Sequence, residues 1–415
     1  MSEPTEKPSR RPARPAVIAR HGRLRRRRAW NAVAALLAGT LVVVLTAGAS
    51  VASIVGWQLN NQLQENTVII GADSAPPPNI AAFEGGFNIL LVGSDTREGQ
   101  GGIGGNESSV LNDVTMLMHV AEDKQSATVV SFPRDLVVPL PACENGGPAG
   151  GQPINVTLFY GGLSCTVDTV ENLTGLKIQF AGLITFKGVI AMSNAVGGVP
   201  VCVTEPINDP YTGLVIPKAG TYNLKGVNAL AFLRSRHGVG DGSDLGRIGS
   251  QQVFLSSLIR KIKSDDTLTD FGKLYSIAQA ATKNISLSSN FANLDTLVSV
   301  ALVMKDIPLE NVVFVRYPST TGVGGIYQGK VAPIQSVADA LFAAIKKDRP
   351  VGLDANSLDG ANGGSTSDPN APKPSAPATP APTASGEPEP DKPKPVVVPG
   401  LKGQSAADYT CAVAN

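Results

Sequence analysis

Phe87–Arg97 reads FNILLVGSDTR, and the fold class turns on it. A β-rich run, Phe87–Val92, is broken only by Asn88. It stops at Gly93 and Ser94 and hands over to Asp95 and Arg97. A short apolar run that ends this way predicts a strand buried in an α/β sheet, with polar residues at its open end. Four similar runs follow: TMLMHV (115–120), ATVVSF (127–132), VPVCVTE (199–205) and NVVFVRY (311–317). Between and after them, Thr166–Thr174, Phe186–Val196, Val227–Leu233, Ile248–Ile262, Phe271–Lys283, Leu294–Lys305 and Ile334–Lys346 carry helical periodicity. Asp270 and Asn293 are placed as helix N-caps. The alternation predicts an α/β domain over 86–348, with helices covering a sheet.

N-terminal to this domain, the 24 residues Ala32–Val55 carry no charge. As a helix they span roughly 36 Å, enough to cross a bilayer. Trp30 and Trp57 bracket the run, and Arg23–Arg28 precede it. The sequence therefore predicts a disordered basic cytoplasmic tail over 1–31, a transmembrane helix over 32–56 and a stalk over 57–85. Everything after the helix lies outside the cell membrane by the positive-inside tendency. Two alternatives are a signal peptide, for which Ala-x-Ser pieces near Ala47–Ser53 offer a cleavage site, and a nucleic-acid-binding arm. The net charge of +1 averages unlike segments. Residues 1–28 hold ten Lys and Arg against two Glu, which leaves 25 basic and 32 acidic side chains for the rest. A mildly acidic body does not fit a general nucleic-acid binder.

C-terminal to the domain, residues 349–400 form a Pro-rich segment, with eleven prolines in 369–399. This predicts a disordered, extended linker, followed by a short C-terminal segment over 401–415. An exterior location permits disulfides. Cys143 and Cys165 flank the loop ENGGPAGGQP, and a Cys202–Cys411 bond would tie the tail to the body; four cysteines allow three pairings. Four cysteines and three histidines argue against a multi-zinc protein.

Phosphate-loop, HExxH, GxSxG and CxxC motifs are absent. The chemistry-bearing residues are instead Asp and Arg at the ends of strand-like and helix-like runs: Asp95 and Arg97, Asp113, Arg134 and Asp135, Arg234 and Arg236, then Asp244, Arg247 and Gln251. Singly, each reads more simply as a turn residue, a surface ion pair, a helix C-terminal cation or, for Asp244, an N-cap. Together they suit a pyrophosphate site. Arginine forks match phosphate oxygens, and carboxylates bind Mg²⁺ or Mn²⁺ that bridge phosphates.

These residues resemble the LytR-CpsA-Psr family of cell-envelope enzymes. The resemblance runs from about Phe87 to Leu258. It rests on GSDTR (Gly93–Arg97), the Asp113 strand, SFPRD (Ser131–Asp135), INVTLFYGG (Ile154–Gly162), LKGVNALAFLRSRH (Leu224–His237) and DLGRIGSQQ (Asp244–Gln252). It implies a three-layer α/β sandwich with a central mixed sheet and a long apolar pocket, preceded by one transmembrane helix. It further implies a metal-dependent phosphotransferase that moves a glycopolymer, arabinogalactan in an actinobacterial member, from a polyprenyl-pyrophosphate carrier to a peptidoglycan sugar hydroxyl. Pyrophosphatase activity would be a side reaction. Asp95 and Asp113 would hold Mg²⁺ or Mn²⁺. Arg97, Arg134, Arg234, Arg236 and Arg247 would bind pyrophosphate, with Gln251 beside them. Asp244 would orient the arginines, and Asp135 or Asp244 would take the acceptor proton. Two departures stand out: Pro153 where family members often carry Lys, and Ser250 where many carry Arg. They favour the alternative of a non-catalytic binder or scaffold for lipid-linked glycans.

Overall fold

The computed structural model describes residues 26–65, 67–70, 86–95, 110–147, 150–264, 271–354, 356–358, 365–368 and 394–415. Most of the basic tail, Arg97, Asp270 and the greater part of the Pro-rich segment lie outside them. The chain divides into an N-terminal unit ending at Trp57 and a compact unit, Gln58–Asn415.

Helix α1 (Arg26–Glu65) contains the predicted apolar run. It is the one helix among the described residues long and apolar enough to cross a membrane. The stalk expected from residue 57 is corrected in part, because helix continues to Glu65 and its last turns belong to the folded unit. Leu59 and Leu63 are buried there. Gln64 Nε2 donates to Ala292 O at 2.7 Å.

The central sheet has eight strands. Strand β1 (Thr67–Val68) is followed by β8 (Ile285–Ser288), β5 (Phe180–Ile184), β2 (Phe87–Ser94), β3 (Asn112–Val120), β4 (Ala127–Phe132), β9 (Val312–Arg316) and β11 (Gly403–Ser405). It is mixed. Pairs β2·β5, β4·β9 and β1·β8 are parallel, and β2·β3, β3·β4, β5·β8 and β9·β11 are antiparallel.

Side chains alternate across a strand, so each strand feeds two cores. Leu90, Val92, Leu117, Val130 and Phe132 join one apolar cluster with α2 (Thr157–Thr174) and α8 (Gln335–Ile345). Phe87, Ile89, Met116, Val129 and Phe314 join the other with α7 (Leu294–Asp306). Helix, sheet and helix make the three layers. A smaller sheet, ordered β7 (Gly220–Leu224), β6 (Val199–Val203), β12 (Thr410–Ala412) and β10 (Ser365–Ser367), packs on α4 (Val227–Arg234) and α5 (Asp244–Lys263).

Helix α6 (Phe271–Asn284) leads into β8, and Asn293 caps α7 through its side-chain oxygen, as the sequence predicts. Helix α2 starts at Thr157, nine residues before its predicted start, because Gly161 and Gly162 carry the chain through a kink. Gly162 has φ +63°, and a Cβ on Gly161 would lie 2.8 Å from Cys165 Cβ.

The largest correction is at the C-terminus. Residues 401–415 are not an appendage: β11 extends the central sheet, and β12 lies between β6 and β10. Val351–Gly352 and Val396–Val397, both inside the expected linker, pair in parallel. The physical reason is edge coverage. Open edges of β6 and β9 would leave ladder groups without partners. Cys143 is bonded to Cys165, and Cys202 to Cys411.

Candidate active site

The carboxylates come from neighbouring strand ends. Asp95 directly follows β2, and its backbone N–H donates to Leu111 O at 3.0 Å. Its Oδ1 accepts from Leu111 N at 2.7 Å. Between β2 and β3 the register shifts: Gly93 pairs with Val114 and Ser94 with Asn112. Asp113 is the extra residue. Such a bulge re-aims its side chain, here toward the cavity described below.

Arg134 sits in the Pro133–Leu136 turn after β4. Its Nη1 donates to Asp113 Oδ1 at 2.6 Å, and its backbone N donates to Asp244 Oδ2 at 2.8 Å. Asp244 opens α5. Ser243, not Asp244, is the N-cap: its Oγ accepts from Leu245 N and Gly246 N. At the first helical position the Asp244 charge is favoured by the helix dipole. Asp244 Oδ1 also takes Arg247 Nη2 at 2.5 Å and faces Arg236 Nη2 at 3.2 Å. Arg247 Nη2 reaches Asp113 O at 2.9 Å as well. Asp244 is thus the hub that joins three of the predicted arginines.

Arg234 ends α4, and its guanidinium lies 4.5 Å from the Phe186 ring centroid. Gln251 Nε2 donates to Leu233 O at 2.9 Å, tying α5 to the end of α4. Asp135 is placed differently: it shares the turn with Arg134 but pairs with Lys330 at 3.7 Å. Among the described residues, no ion pair or side-chain hydrogen bond joins it to Asp113 or Asp244.

The cluster is cation-rich, with Arg134, Arg234, Arg236 and Arg247 against Asp95, Asp113 and Asp244. Burial lowers the Arg236 pKa from its ordinary value, and the charges of Arg247 and Arg134 add to this against Asp244 and Asp113. Two buried guanidinium donors, Arg134 Nε and Arg247 Nε, have no hydrogen-bond partner, and Arg236 Nη2 has only its ion-pair contact with Asp244. Unsatisfied buried donors are costly. A bound anion with several oxygens would supply the acceptors.

Below the cluster runs a cavity of about 270 Å³. Asp113, Arg234, Arg247 and Gln251 stand on its wall with an otherwise mostly apolar lining from β2, β3, α3 (Phe186–Ala195), α4 and α5. Helix α5 carries the gradient along one face: Arg247, Gln251, Phe254, Leu255, Leu258 and Ile262. From Arg247 to Ile262 this face is about 22 Å long at 1.5 Å per residue. It is shaped for an amphiphile with an anionic head.

Two supporting residues were not singled out in the sequence. Arg316, at the end of β9, pairs in register with Ser131 and is 9% exposed. Its pKa is lowered by burial, while the fields of Asp241 and Asp244 oppose this. Its signal was the same as that of SFPRD, a strand ending in Arg.

Asp209 is buried and accepts from Ser235 Oγ at 2.6 Å, which fixes the turn between Arg234 and Arg236. Burial works against its charge. The Ser235 hydroxyl and the N–H groups of Tyr211, Thr212 and Arg236 nevertheless hold its pKa below the ordinary value. The Asp-Pro-Tyr-Thr-Gly turn signal was its only mark in the sequence.

The donor set at Asp95 and Asp113, hard carboxylate oxygens beside the arginine cluster, is of the kind that fits Mg²⁺ or Mn²⁺. Among the described residues, one group of three potential metal ligands converges, Cys202, Asp368 and Cys411. Its two sulfurs are bonded to each other, which removes it as a metal site.

Comparison with known proteins gives a consistent result. The model of the LytR_cpsA_psr family matches residues 56–343. The cell wall biosynthesis protein LcpA of Corynebacterium glutamicum is 29% identical over 58% of this chain and 51% of its own length. The probable cell wall biosynthesis protein LcpB of the same organism is 33% identical over 61% of this chain and 59% of its own. The chain therefore spans little more than half of these two relatives. The polyisoprenyl-teichoic acid–peptidoglycan teichoic acid transferase TagT of Bacillus subtilis is 28% identical over 61% of this chain and 77% of its own. Among solved structures, the LytR-Csp2A-Psr enzyme from Actinomyces oris superposes with a TM-score of 0.51 at 22% identity, covering 67% of this chain and 94% of that one. This likeness shows the shared fold.

Proposed function

Because this chain belongs to the LytR_cpsA_psr family, we propose that it is a membrane-anchored phosphotransferase that moves a cell-wall glycopolymer from a polyprenyl-pyrophosphate carrier to a peptidoglycan sugar hydroxyl. The observation that carries this reading is the cavity. One face of α5 presents Arg247 and Gln251 at one end and Phe254 to Ile262 along the rest, beside the buried donors Arg134 Nε and Arg247 Nε, which have no acceptor. The name of TagT, a polyisoprenyl-linked donor transferase, points the same way. The names of LcpA and LcpB point to cell wall synthesis, and arabinogalactan is the glycopolymer we favour.

The chemistry follows from the residues. The isoprenoid tail lies along α5, which leaves the pyrophosphate among Arg134, Arg234, Arg236 and Arg247. The acceptor hydroxyl attacks the glycan-side phosphorus, and the bond to the polyprenyl phosphate breaks. The arginines balance the charge that develops on the leaving phosphate. Asp95 and Asp113 would hold Mg²⁺ or Mn²⁺, which supplies further charge neutralisation when bound. Asp244 is held by donors from three arginine residues, so its role is to template them; Asp135, in the same turn as Arg134 and paired with Lys330 at 3.7 Å, is the carboxylate left to take the acceptor proton. Arg316 adds a cation to a site in which Pro153 and Ser250 replace cations common in the family. Hydrolysis of the donor by water would be the pyrophosphatase side reaction. By the positive-inside tendency the N-terminus is cytoplasmic and the catalytic domain is outside. The membrane helix keeps that domain near its lipid substrate.

The test is incubation of the full-length protein with a synthetic polyprenyl-pyrophosphoryl glycan and Mg²⁺ or Mn²⁺, reading polyprenyl phosphate release. Release that is lost with chelator and with Arg134→Ala supports the proposal. Tight lipid binding without release would make the protein a holder of lipid-linked glycans instead.

A further inference from the structure

Helix α5 reaches a second cavity at its other end. This one, of about 360 Å³, opens beside the Cys202–Cys411 bond. Its wall includes Thr221, Ser257, Arg260, Lys261, Asp368 and Tyr409: hydroxyls, cations, a carboxylate and one aromatic ring. Two of these, Asp368 and Tyr409, lie beyond residue 343, where the family match ends. The C-terminal strands of this chain therefore complete a cavity that the family match does not account for.

The wall is built with one cation fixed and one left over. Arg260 Nη1 donates to Ala406 O at 2.7 Å and Asp408 O at 2.8 Å, and Nη2 donates to Ser257 Oγ at 2.8 Å. Its guanidinium lies 4.5 Å from the Tyr409 ring centroid and covers one face of that ring. The ring is held in place by this contact and is still 43% exposed. Lys261, next in sequence, has no acceptor for its ammonium among the described residues. A rigid exposed ring, unengaged positive charge and hydroxyls within one concave wall suit a ligand with flat apolar faces, many hydroxyls and a carboxylate. No Leu, Ile, Val or Met side chain stands in its wall, in contrast to the first cavity.

We propose that this cavity holds the acceptor: a hydroxyl-rich, carboxylate-bearing saccharide strand of the peptidoglycan, gripped away from the reacting sugar. The proposal rests on the phosphotransferase reading above. Geometry adds a length requirement. Arg247 and Arg260 are on one helix, about 20 Å apart along its axis at 1.5 Å per residue. A polymer can reach both ends of α5, and a single sugar cannot. Binding at the second cavity raises the effective concentration of strand hydroxyls at the arginine cluster.

The experiment uses full-length protein in detergent micelles and soluble peptidoglycan glycan strands that carry their peptide stems. Calorimetry measures strand affinity for the wild type, Tyr409→Ala, Lys261→Ala and Arg134→Ala. In parallel, polyprenyl phosphate release from the synthetic donor is followed without strands. We expect Tyr409→Ala and Lys261→Ala each to weaken strand binding about tenfold and to raise the acceptor KM by the same factor. Strand-free release stays within twofold of wild type in both, and Arg134→Ala binds strands normally. Equal binding by wild type and both variants, or no binding by wild type, overturns the proposal. If Tyr409→Ala disturbs the C-terminal strands, seen as a lowered Tm, Lys261→Ala alone decides. Absence of donor release in the wild type would sink the phosphotransferase reading instead, and calorimetry would still report on the cavity.

Discussion

Asp244 is the residue on which the candidate site depends most. It accepts from the Arg134 backbone and holds Arg236 and Arg247 by charge. Asp244→Asn keeps the shape and removes the charge. Donor turnover should fall about 100-fold, the scale of losing one preorganised electrostatic element. Stability should fall by about 3 kcal/mol, because buried arginines lose their counter-charge. A variant with wild-type turnover and an unchanged urea midpoint would show that the hub is idle. Asp209 acts one layer out. Its folded pKa lies below the ordinary value of 3.8, so its contribution is complete above that value and is lost as pH falls through the folded pKa. The wild type should lose stability as pH drops below about 4 more steeply than Asp209→Asn does, measured as urea midpoint against pH. Parallel acid limbs would mean that the Ser235 contact contributes nothing to stability.

Helix α5 shows what could and could not be read from residues alone. Its apolar periodicity over Ile248–Ile262 was visible, and so were the polar residues at its start. The distribution of its faces was not, because Phe254, Leu255 and Leu258 read as ordinary core. Only the packing of α3 and α4 leaves a cavity beside them. The plainer alternative for Asp244, an N-cap, is taken by Ser243, an equally good cap one residue earlier. Among strands, FAGLI (Phe180–Ile184) escaped notice because its Ala and Gly dilute the β-rich signal, although it is central in the sheet. The strand-end residues Asp95, Asp113 and Arg134, and Arg247 in the first turn of α5, were legible because they stand beside apolar runs. Filling the cavity tests the element directly. Leu258→Trp should weaken binding of a long-chain polyprenyl pyrophosphate at least tenfold, by overpacking, while a short-chain analogue still turns over. Equal losses for both chain lengths would place the tail elsewhere.

At the scale of the whole molecule, the C-terminal segment closes the domain. SAADYTCAVAN looks like a fragment in isolation, because its strand partners β6 and β10 lie about 209 and 45 residues away and leave no local signal. The structure makes it an integral edge of the central sheet and an inner strand of the smaller one. The Cys202–Cys411 bond joins residues 209 apart and constrains the unfolded chain accordingly. Replacing both cysteines with serine should cost about 2–5 kcal/mol, read from denaturant midpoints without reductant. An unchanged midpoint would mean that strand pairing alone holds β12.

The central claim is that one amphiphile occupies the α5 cavity with its head at the arginines. The most direct measurement is a crystal structure of the protein with a polyprenyl pyrophosphate. We predict phosphate oxygens within hydrogen-bond reach of Arg134 Nε, Arg236 Nη2 and Arg247 Nε, and the chain running past Phe254 and Leu258 toward Ile262. A lipid bound with its pyrophosphate away from these three donors, or with its tail outside this cavity, would contradict the account.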